Sequence, residues 1–196
     1  MPESNHPQNG LTIKNKMQAF LDKYNSSRDQ NTALSKAWGA AVGRNLLYAK
    51  TIPYQYRERQ EVKSAWAKKV TTLAAYPFTS AEYEAAFLAL KNEMNAEFSQ
   101  IFGARGGFRV SHAQKGLAVY MKHLWCMGKI EMPPECPIDK VVLSNLAQDA
   151  KYKKFGTLAW TKIDDIETHQ QILSAIRDQA ARAQKSVAEW ELSIFN

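Results

Sequence analysis

Apolar residues recur at every third or fourth position along most of this 196-residue chain, the spacing that places them on one face of an α-helix. The clearest example follows Thr79, which forms a capping-box pattern with Glu82 at a helix start. The apolar stripe that follows consists of Tyr83, Phe87, Leu90, Met94, Phe98 and Ile101. The sequence therefore predicts a helix from about Ser80 to Phe102.

The same spacing predicts helices along the rest of the chain, whereas no segment alternates strongly between apolar and polar residues as a half-buried strand does. We therefore predict an all-α fold, a compact bundle forming a single domain over residues 12–196 after a flexible polar tail over residues 1–11. A short strand at 46–52 stays an alternative. The other predicted helices cover 12–24, 32–48, 56–75, a segment capped by Ser111 and stopped by Gly128, a short helix from Asp139, and 164–194, which opens on a second capping box.

The charge balance favours polyanionic partners. Twenty-six Lys and Arg against nineteen Asp and Glu give a net charge of +7, which attracts nucleic acid through counterion release. A solvated basic surface is the alternative. No apolar run approaches the roughly 20 residues that cross a bilayer, and the N-terminus has no apolar signal region, so we expect a cytoplasmic, nucleoid-associated protein with no membrane partner.

Metal and disulfide chemistry find little support in the sequence. Cys126 and Cys136 are the only cysteines, and their spacing fits neither a disulfide framework nor a zinc or iron–sulfur site. His123 and His169 lie within helical patterns without ligand spacing. We expect reduced thiols, no metal and no cofactor.

The segment from Ser111 to Asp139 carries the residues with chemical potential. A helix after a Gly/Arg-rich loop bears Lys115, and the next helix begins at Asp139 after Pro137 and Ile138. A lysine and an aspartate 24 positions apart occur by chance in many proteins, so the residues around them carry the argument. These are Ser111-His112-Ala113-Gln114-Lys115-Gly116-Leu117-Ala118-Val119-Tyr120-Met121-Lys122 and Pro134-Glu135-Cys136-Pro137-Ile138-Asp139-Lys140-Val141-Val142-Leu143.

In these residues the chain resembles the helix-hairpin-helix DNA glycosylases, and most of all the archaeal branch of the 8-oxoguanine glycosylases. The resemblance implies a helical glycosylase-like bundle with a variant helix-hairpin-helix. It also implies a bifunctional DNA glycosylase and abasic lyase, with Lys115 as nucleophile and Asp139 as the carboxylate at the next helix start. The expected partner is double-stranded DNA containing a damaged or modified purine such as 8-oxoguanine, bound by a monomer.

Two departures accompany the resemblance. The family's Leu-Pro-Gly-Val-Gly type of hairpin turn is replaced by Arg109-Val110-Ser111-His112-Ala113-Gln114, and the four-cysteine iron–sulfur cluster of some relatives is absent from the sequence. We predict that a phosphate is held at this helix start by Arg105, Gly106, Gly107, Arg109, Ser111, His112 and Gln114. An ordinary helix cap beside a loop is the alternative.

The chemistry suits these residue types independently of the family. Cleavage of an N-glycosidic bond builds positive charge on the sugar, which a carboxylate such as Asp139 stabilises. A partly neutral Lys115 amine, favoured by burial, attacks the anomeric carbon. Because the target base must leave the duplex, an aromatic pocket is required, and Trp125 and Trp160 are candidates for it or for ordinary core packing.

Two other functions are alternatives to the glycosylase. A nucleic-acid-binding protein on the same scaffold, without catalysis and acting in stress or phage defence, is the main alternative, and it is favoured if Lys115 and Asp139 point apart. A metal-dependent nuclease needs clustered acidic residues, which the sequence does not offer.

Overall fold

A computed structural model describes residues 13–43, 47–48, 56–102 and 107–195. These residues form eight α-helices and two 3₁₀ helices, and they contain no strand. The all-α prediction is therefore confirmed. The α-helices are α1 Ile13–Tyr24, α2 Gln30–Val42, α3 Tyr56–Leu73, α4 Ser80–Phe98, α5 Val110–Cys126, α6 Lys140–Leu146, α7 Ile166–Arg182 and α8 Val187–Ile194, and the 3₁₀ helices are Ala150–Thr157 and Trp160–Lys162.

Helix α5 lies between the two main hydrophobic cores. Fifteen of its 17 residues are buried, so it packs on nearly every side. The larger core joins α5 to α2, α3 and α4, with Trp66, Tyr83 and Phe87 fully buried. The second core joins α6, the 3₁₀ helices, α7 and α8. A third, small cluster connects α1, the end of α5 and α8. Any polar side chain that α5 carries is thereby held between packed layers.

Several helix ends agree with the sequence prediction. Thr79 and Glu82 form the predicted capping box at the start of α4. Gly128 has a φ of 69°, and its amide donates to the Trp125 carbonyl while the Lys129 amide donates to that of Leu124. This pair of bonds is the Schellman motif, so Gly128 ends α5 as predicted.

Three predicted boundaries were wrong. Helix α2 begins earlier, because Asp29 caps it by accepting from the Thr32 amide, and it ends at Val42 instead of Tyr48. Tyr48 instead forms an isolated antiparallel β-bridge with Phe102, so α4 also ends short of its predicted limit. The rest of the possible strand at 46–52 lies mostly outside the described residues, as does the predicted tail over 1–11.

The start of α5 and the end of the chain also differ from prediction. Helix α5 begins at Val110 with Arg109 as its N-cap, so Ser111 is not the cap. The predicted final helix is two helices, because Gln184 has a φ of 53° and Ser186 with Glu189 forms a capping box that starts α8. The expected box at 164–167 is absent, since Asp165 caps α7 by accepting from the amide of Thr168.

Candidate active site

Lys115 and Asp139 meet across 24 residues of sequence. The Lys115 Nζ lies 3.4 Å from Asp139 Oδ2, and the two side chains are only 10% and 16% exposed. Gln114, the neighbour of Lys115, bonds the backbone of the segment that leads to Asp139. Its amide nitrogen donates to the Cys136 carbonyl at 2.7 Å, and its amide oxygen accepts from the Ile138 amide at 3.2 Å. The buried Gln114 side chain thus fixes the backbone position just before Asp139.

The two oxygens of Asp139 have different partners. Oδ1 accepts from the amides of Val141 and Val142, at 2.8 and 3.1 Å, and so caps α6. Oδ2 faces the Lys115 ammonium. Because the cap fixes the rotamer of the side chain, the second oxygen is held in place without bonding of its own to the backbone. Asp139 therefore presents one prepositioned, charged oxygen.

Trp160 covers the Lys115 amine. Its ring centroid lies 3.8 Å from Lys115 Nζ, within the range of a cation–π contact, and Trp160 is 6% exposed. The amine is thus held between a carboxylate and an indole face. The sequence analysis gave two interpretations of Trp160, a base pocket or core packing, and in the structure Trp160 is buried in the second core with its ring against Lys115.

A second lysine follows Lys115 two helical turns later on the same helix. Lys122 Nζ contacts both carboxylate oxygens of Glu191, at 2.9 and 2.6 Å, and both side chains are about 5% exposed or less. The rings of Phe195 and Phe20 lie 4.0 and 4.5 Å from the same ammonium. Burial raises the pKa of the Glu191 carboxyl, and the Lys122 charge opposes that rise.

Both lysines line one cavity of about 150 Å³. A void of this size accommodates a single aromatic ring. Its walls combine aromatic and apolar residues with three lysines, two carboxylates and a histidine. They are Phe20, Tyr24, Lys36, Ala40, Lys115, Val119, Lys122, His123, Pro137, Asp139, Glu191 and Phe195.

His123 in this cavity is neutral at physiological pH. Burial, and then the charge of Lys122, lower the pKa of His123 to about 4. Its Nδ1 has no hydrogen-bond partner among the described residues, and its ring packs 4.7 Å from that of Phe20. The His123 ring thus contributes an uncharged aromatic surface to the cavity wall.

The sequence analysis missed the aromatic walls of this cavity. Phe20, Tyr24 and Phe195 come from α1 and the chain end, and their helical spacing marks them only as core residues. Neither Trp125 nor Trp160 is among the described residues that line it. Trp125 is half-buried and packs on the small cluster of α1 and α8.

The residues predicted to hold a phosphate are mostly occupied within the protein. Arg105 and Gly106 lie outside the described residues. Gly107 has a φ of 62°, a conformation that favours glycine, and it packs against the Asn95 side chain. Ser111, His112 and Gln114 are buried, and burial, followed by the Arg109 charge, lowers the pKa of His112 to about 4.

The first groups of α5 bond to the second 3₁₀ helix and to the segment that follows it. The Val110 amide donates to Asp164 Oδ1 at 3.1 Å, and the Ser111 amide donates to the Ile163 carbonyl at 3.0 Å. The Arg109 guanidinium donates to the Thr161 carbonyl at 2.7 Å. In this conformation the helix start is satisfied by the chain itself, so its amides are not presented to a phosphate.

The described part of the chain brings no three His, Cys, Asp or Glu side chains together as a metal site. None of its helices is long and apolar enough to cross a membrane. Cys126 and Cys136 are free and buried.

No protein-family model, no curated protein and no solved structure matches this chain.

Proposed function

We propose that the protein is a DNA glycosylase and abasic lyase that removes a damaged or modified purine, with 8-oxoguanine the first candidate. The observation that carries the proposal is the meeting of Lys115 and Asp139 at the wall of a cavity with aromatic sides. A net charge of +7 supports DNA as the substrate. The alternative without catalysis called for these side chains to point apart, and they face each other at 3.4 Å.

Lys115 acts as the nucleophile. Its neutral amine attacks C1′ of the deoxyribose, the N-glycosidic bond breaks, and the bonding electron pair leaves with the base, which takes up a proton. The nitrogen loses a proton, the sugar ring opens with O4′ leaving C1′ and gaining a proton, and an iminium forms between Nζ and C1′. Loss of a C2′ proton then expels the 3′ phosphate, and water hydrolyses the imine to restore Lys115.

Asp139 stabilises the positive charge that develops on the sugar. Its Oδ2 faces the space in which the sugar becomes positively charged, so a fixed carboxylate there stabilises the transition state more than the ground state. The same oxygen accepts the proton that the Lys115 ammonium must lose before it attacks and passes it to the departing base, so the carboxylate is charged again as the sugar cation forms. The α6 cap keeps this oxygen in place through both steps.

The cavity receives the six-membered ring of the flipped purine, and the rest of the nucleotide lies at the cavity mouth. The rings of Phe20, Tyr24 and Phe195 offer stacking surfaces for it. Lys36, which is exposed, marks the side at which the cavity meets solvent. We place this activity on duplex DNA in the cytoplasm, with the protein acting as a monomer and without a cofactor.

A lesion screen tests the proposal. Duplex oligonucleotides that each carry one modified base, purine or pyrimidine, are incubated with the protein, and released bases are identified by mass spectrometry beside a strand-cleavage gel. We expect release of at least one modified purine by the wild type and by Lys68→Gln, an exposed lysine on α3, and none by Lys115→Gln. Release that survives Lys115→Gln contradicts the lysine mechanism. Binding of duplexes without any release favours the non-catalytic alternative.

A further inference from the structure

We propose that residues 150–162, here called the basic arm, hold the phosphate backbone of duplex DNA beside the Lys115 site. The arm comprises the two 3₁₀ helices and their connection. This inference rests on the proposed function for its substrate. The sequence predicted that the start of α5 binds a phosphate, and this inference assigns phosphate binding to the arm instead.

The arm adjoins the candidate active site at two points. Trp160 within it covers the Lys115 amine at 3.8 Å. Lys140, the residue after Asp139, donates to the Gly156 carbonyl at 2.7 Å. The arm therefore adjoins both residues between which a nucleotide at Lys115 would lie.

The arm carries an excess of positive charge on its outer side. Lys151, Lys153, Lys154 and Lys162 are exposed, and the arm contains no acidic residue. Lys151 pairs with Asp178, and Lys154 donates to the neutral amide of Gln171 at 3.2 Å. No side-chain partner of Lys153 or Lys162 occurs in the described part of the chain. Several charges are thus available to phosphates.

The arm is rigid enough to act as a docking surface. Tyr152, Phe155 and Trp160 are buried in the second core on its inner side. Asp149 caps its first turn by accepting from the Lys151 amide, and it also bonds Gln179 and Arg182. Because these anchors fix the backbone, binding DNA orders only the lysine side chains.

The α5 start serves this arm instead of DNA. The Arg109 guanidinium bonds Thr161 within the arm, and the amides of Val110 and Ser111 bond Asp164 and Ile163 directly after it. Groups that the sequence assigned to a phosphate therefore hold the basic arm against α5. We therefore assign the phosphate contact to the exposed lysines of the arm and not to the start of α5.

Equilibrium binding tests the arm. The probe is a duplex with one tetrahydrofuran abasic site, which lacks the C1′ hydroxyl and so forms no imine, titrated at several KCl concentrations. The wild type is compared with Lys153→Gln/Lys154→Gln/Lys162→Gln and with a matched control, Lys68→Gln/Lys129→Gln/Lys185→Gln, which removes three exposed lysines elsewhere. Circular dichroism checks that the helix content of each variant is unchanged.

We expect the arm variant to lose roughly tenfold or more in affinity, and its slope of log affinity against log salt concentration to become shallower by about 2 to 3. The control should keep its affinity within about twofold of the wild type and its slope within about one unit. Equal losses in arm and control variants, or no loss in the arm variant, overturn the inference. If the arm variant loses affinity but no base is ever released, the arm stands and the proposed catalysis fails. A wild type that binds no DNA overturns both.

Discussion

Lys115 and Lys122 lie two turns apart on α5, line the same cavity and each faces a carboxylate, yet the two ion pairs differ in kind. Lys122 contacts both oxygens of Glu191, at 2.9 and 2.6 Å. Lys115 lies 3.4 Å from a single oxygen of Asp139, whose other oxygen caps α6. A bidentate buried pair is too costly to open, whereas a looser pair at a cavity wall can release its amine. We infer that Lys122 stabilises the fold and Lys115 reacts.

The largest expected effect comes from Asp139→Asn. Asparagine still caps α6 through its side-chain oxygen but removes the negative charge that faces Lys115. We expect base release to slow by roughly 10³-fold, as on loss of an electrostatic stabiliser, with little change in thermal unfolding. The control is Asp165→Asn, the same change at the N-cap of α7, which should leave the rate unchanged. Equal rates for the two variants would remove Asp139 from the mechanism.

Lys122→Met tests the other half of the comparison. It leaves the buried Glu191 carboxylate without its partner, which should lower the free energy of unfolding by about 3 to 5 kcal/mol and the Tm by roughly 10 °C. The double variant Lys122→Met/Glu191→Leu removes both charges and should recover most of the loss. Calorimetry measures both, and a stable single variant would contradict the structural role of this pair.

Two buried histidines of α5, His123 beside Lys122 and His112 at the helix start, should make the stability of the protein depend on pH. In the folded protein the pKa of His123 is about 4, below its ordinary value of 6.5. Between pH 4 and 6.5 this side chain is therefore protonated in the unfolded chain but not in the folded one. Stability therefore falls as the pH drops from 6.5 to 4, by about 2 to 3 kcal/mol from this group. The pKa of His112 is lowered as well, so this residue also reduces stability as the pH falls. His123→Phe should flatten the profile partly, and an unchanged profile would exclude His123 as a source.

The smallest expected effect distinguishes two roles of Trp160. If the ring positions the Lys115 amine, Trp160→Leu should slow imine formation on a preformed abasic site by roughly tenfold, while Trp160→Phe keeps most of the rate. A preformed site carries no base, so a base-pocket role predicts no change in this assay. Trp125→Leu, which removes a tryptophan that packs on the small cluster of α1 and α8, is the matched control.

Helical periodicity predicted the fold class and the starts of α3 and α4, because each apolar stripe there faces one core. The break between α7 and α8 was missed because the apolar positions continue on both sides of it, although Ser186 and Glu189 marked a new start. The 3₁₀ helices were missed as well. Tyr152 and Phe155, three residues apart and both buried, carried the signal that helical spacing of 3.6 residues obscures.

The sequence around Lys115 and Asp139 was enough to select both residues, and the structure brings them together. The cavity they line could not be predicted, since α1 and the chain end meet there only through tertiary packing. Lys16 on α1 donates to the Ser193 carbonyl, 177 residues away, and no local pattern encodes such a contact. The bonds of the α5 start could not be predicted for the same reason, because the Val110 amide donates to Asp164, 54 residues further on.

Peptide mapping of a borohydride-trapped complex tests the central claim most directly. Wild-type protein is incubated with an abasic duplex, reduced and digested, and the peptide that carries the sugar remnant is sequenced by mass spectrometry. A reactive, loosely paired Lys115 predicts that the remnant sits on Lys115, with Lys122 unmodified and no adduct in Lys115→Gln. An adduct on Lys122, or one that persists in Lys115→Gln, would contradict the division of roles between the two lysines.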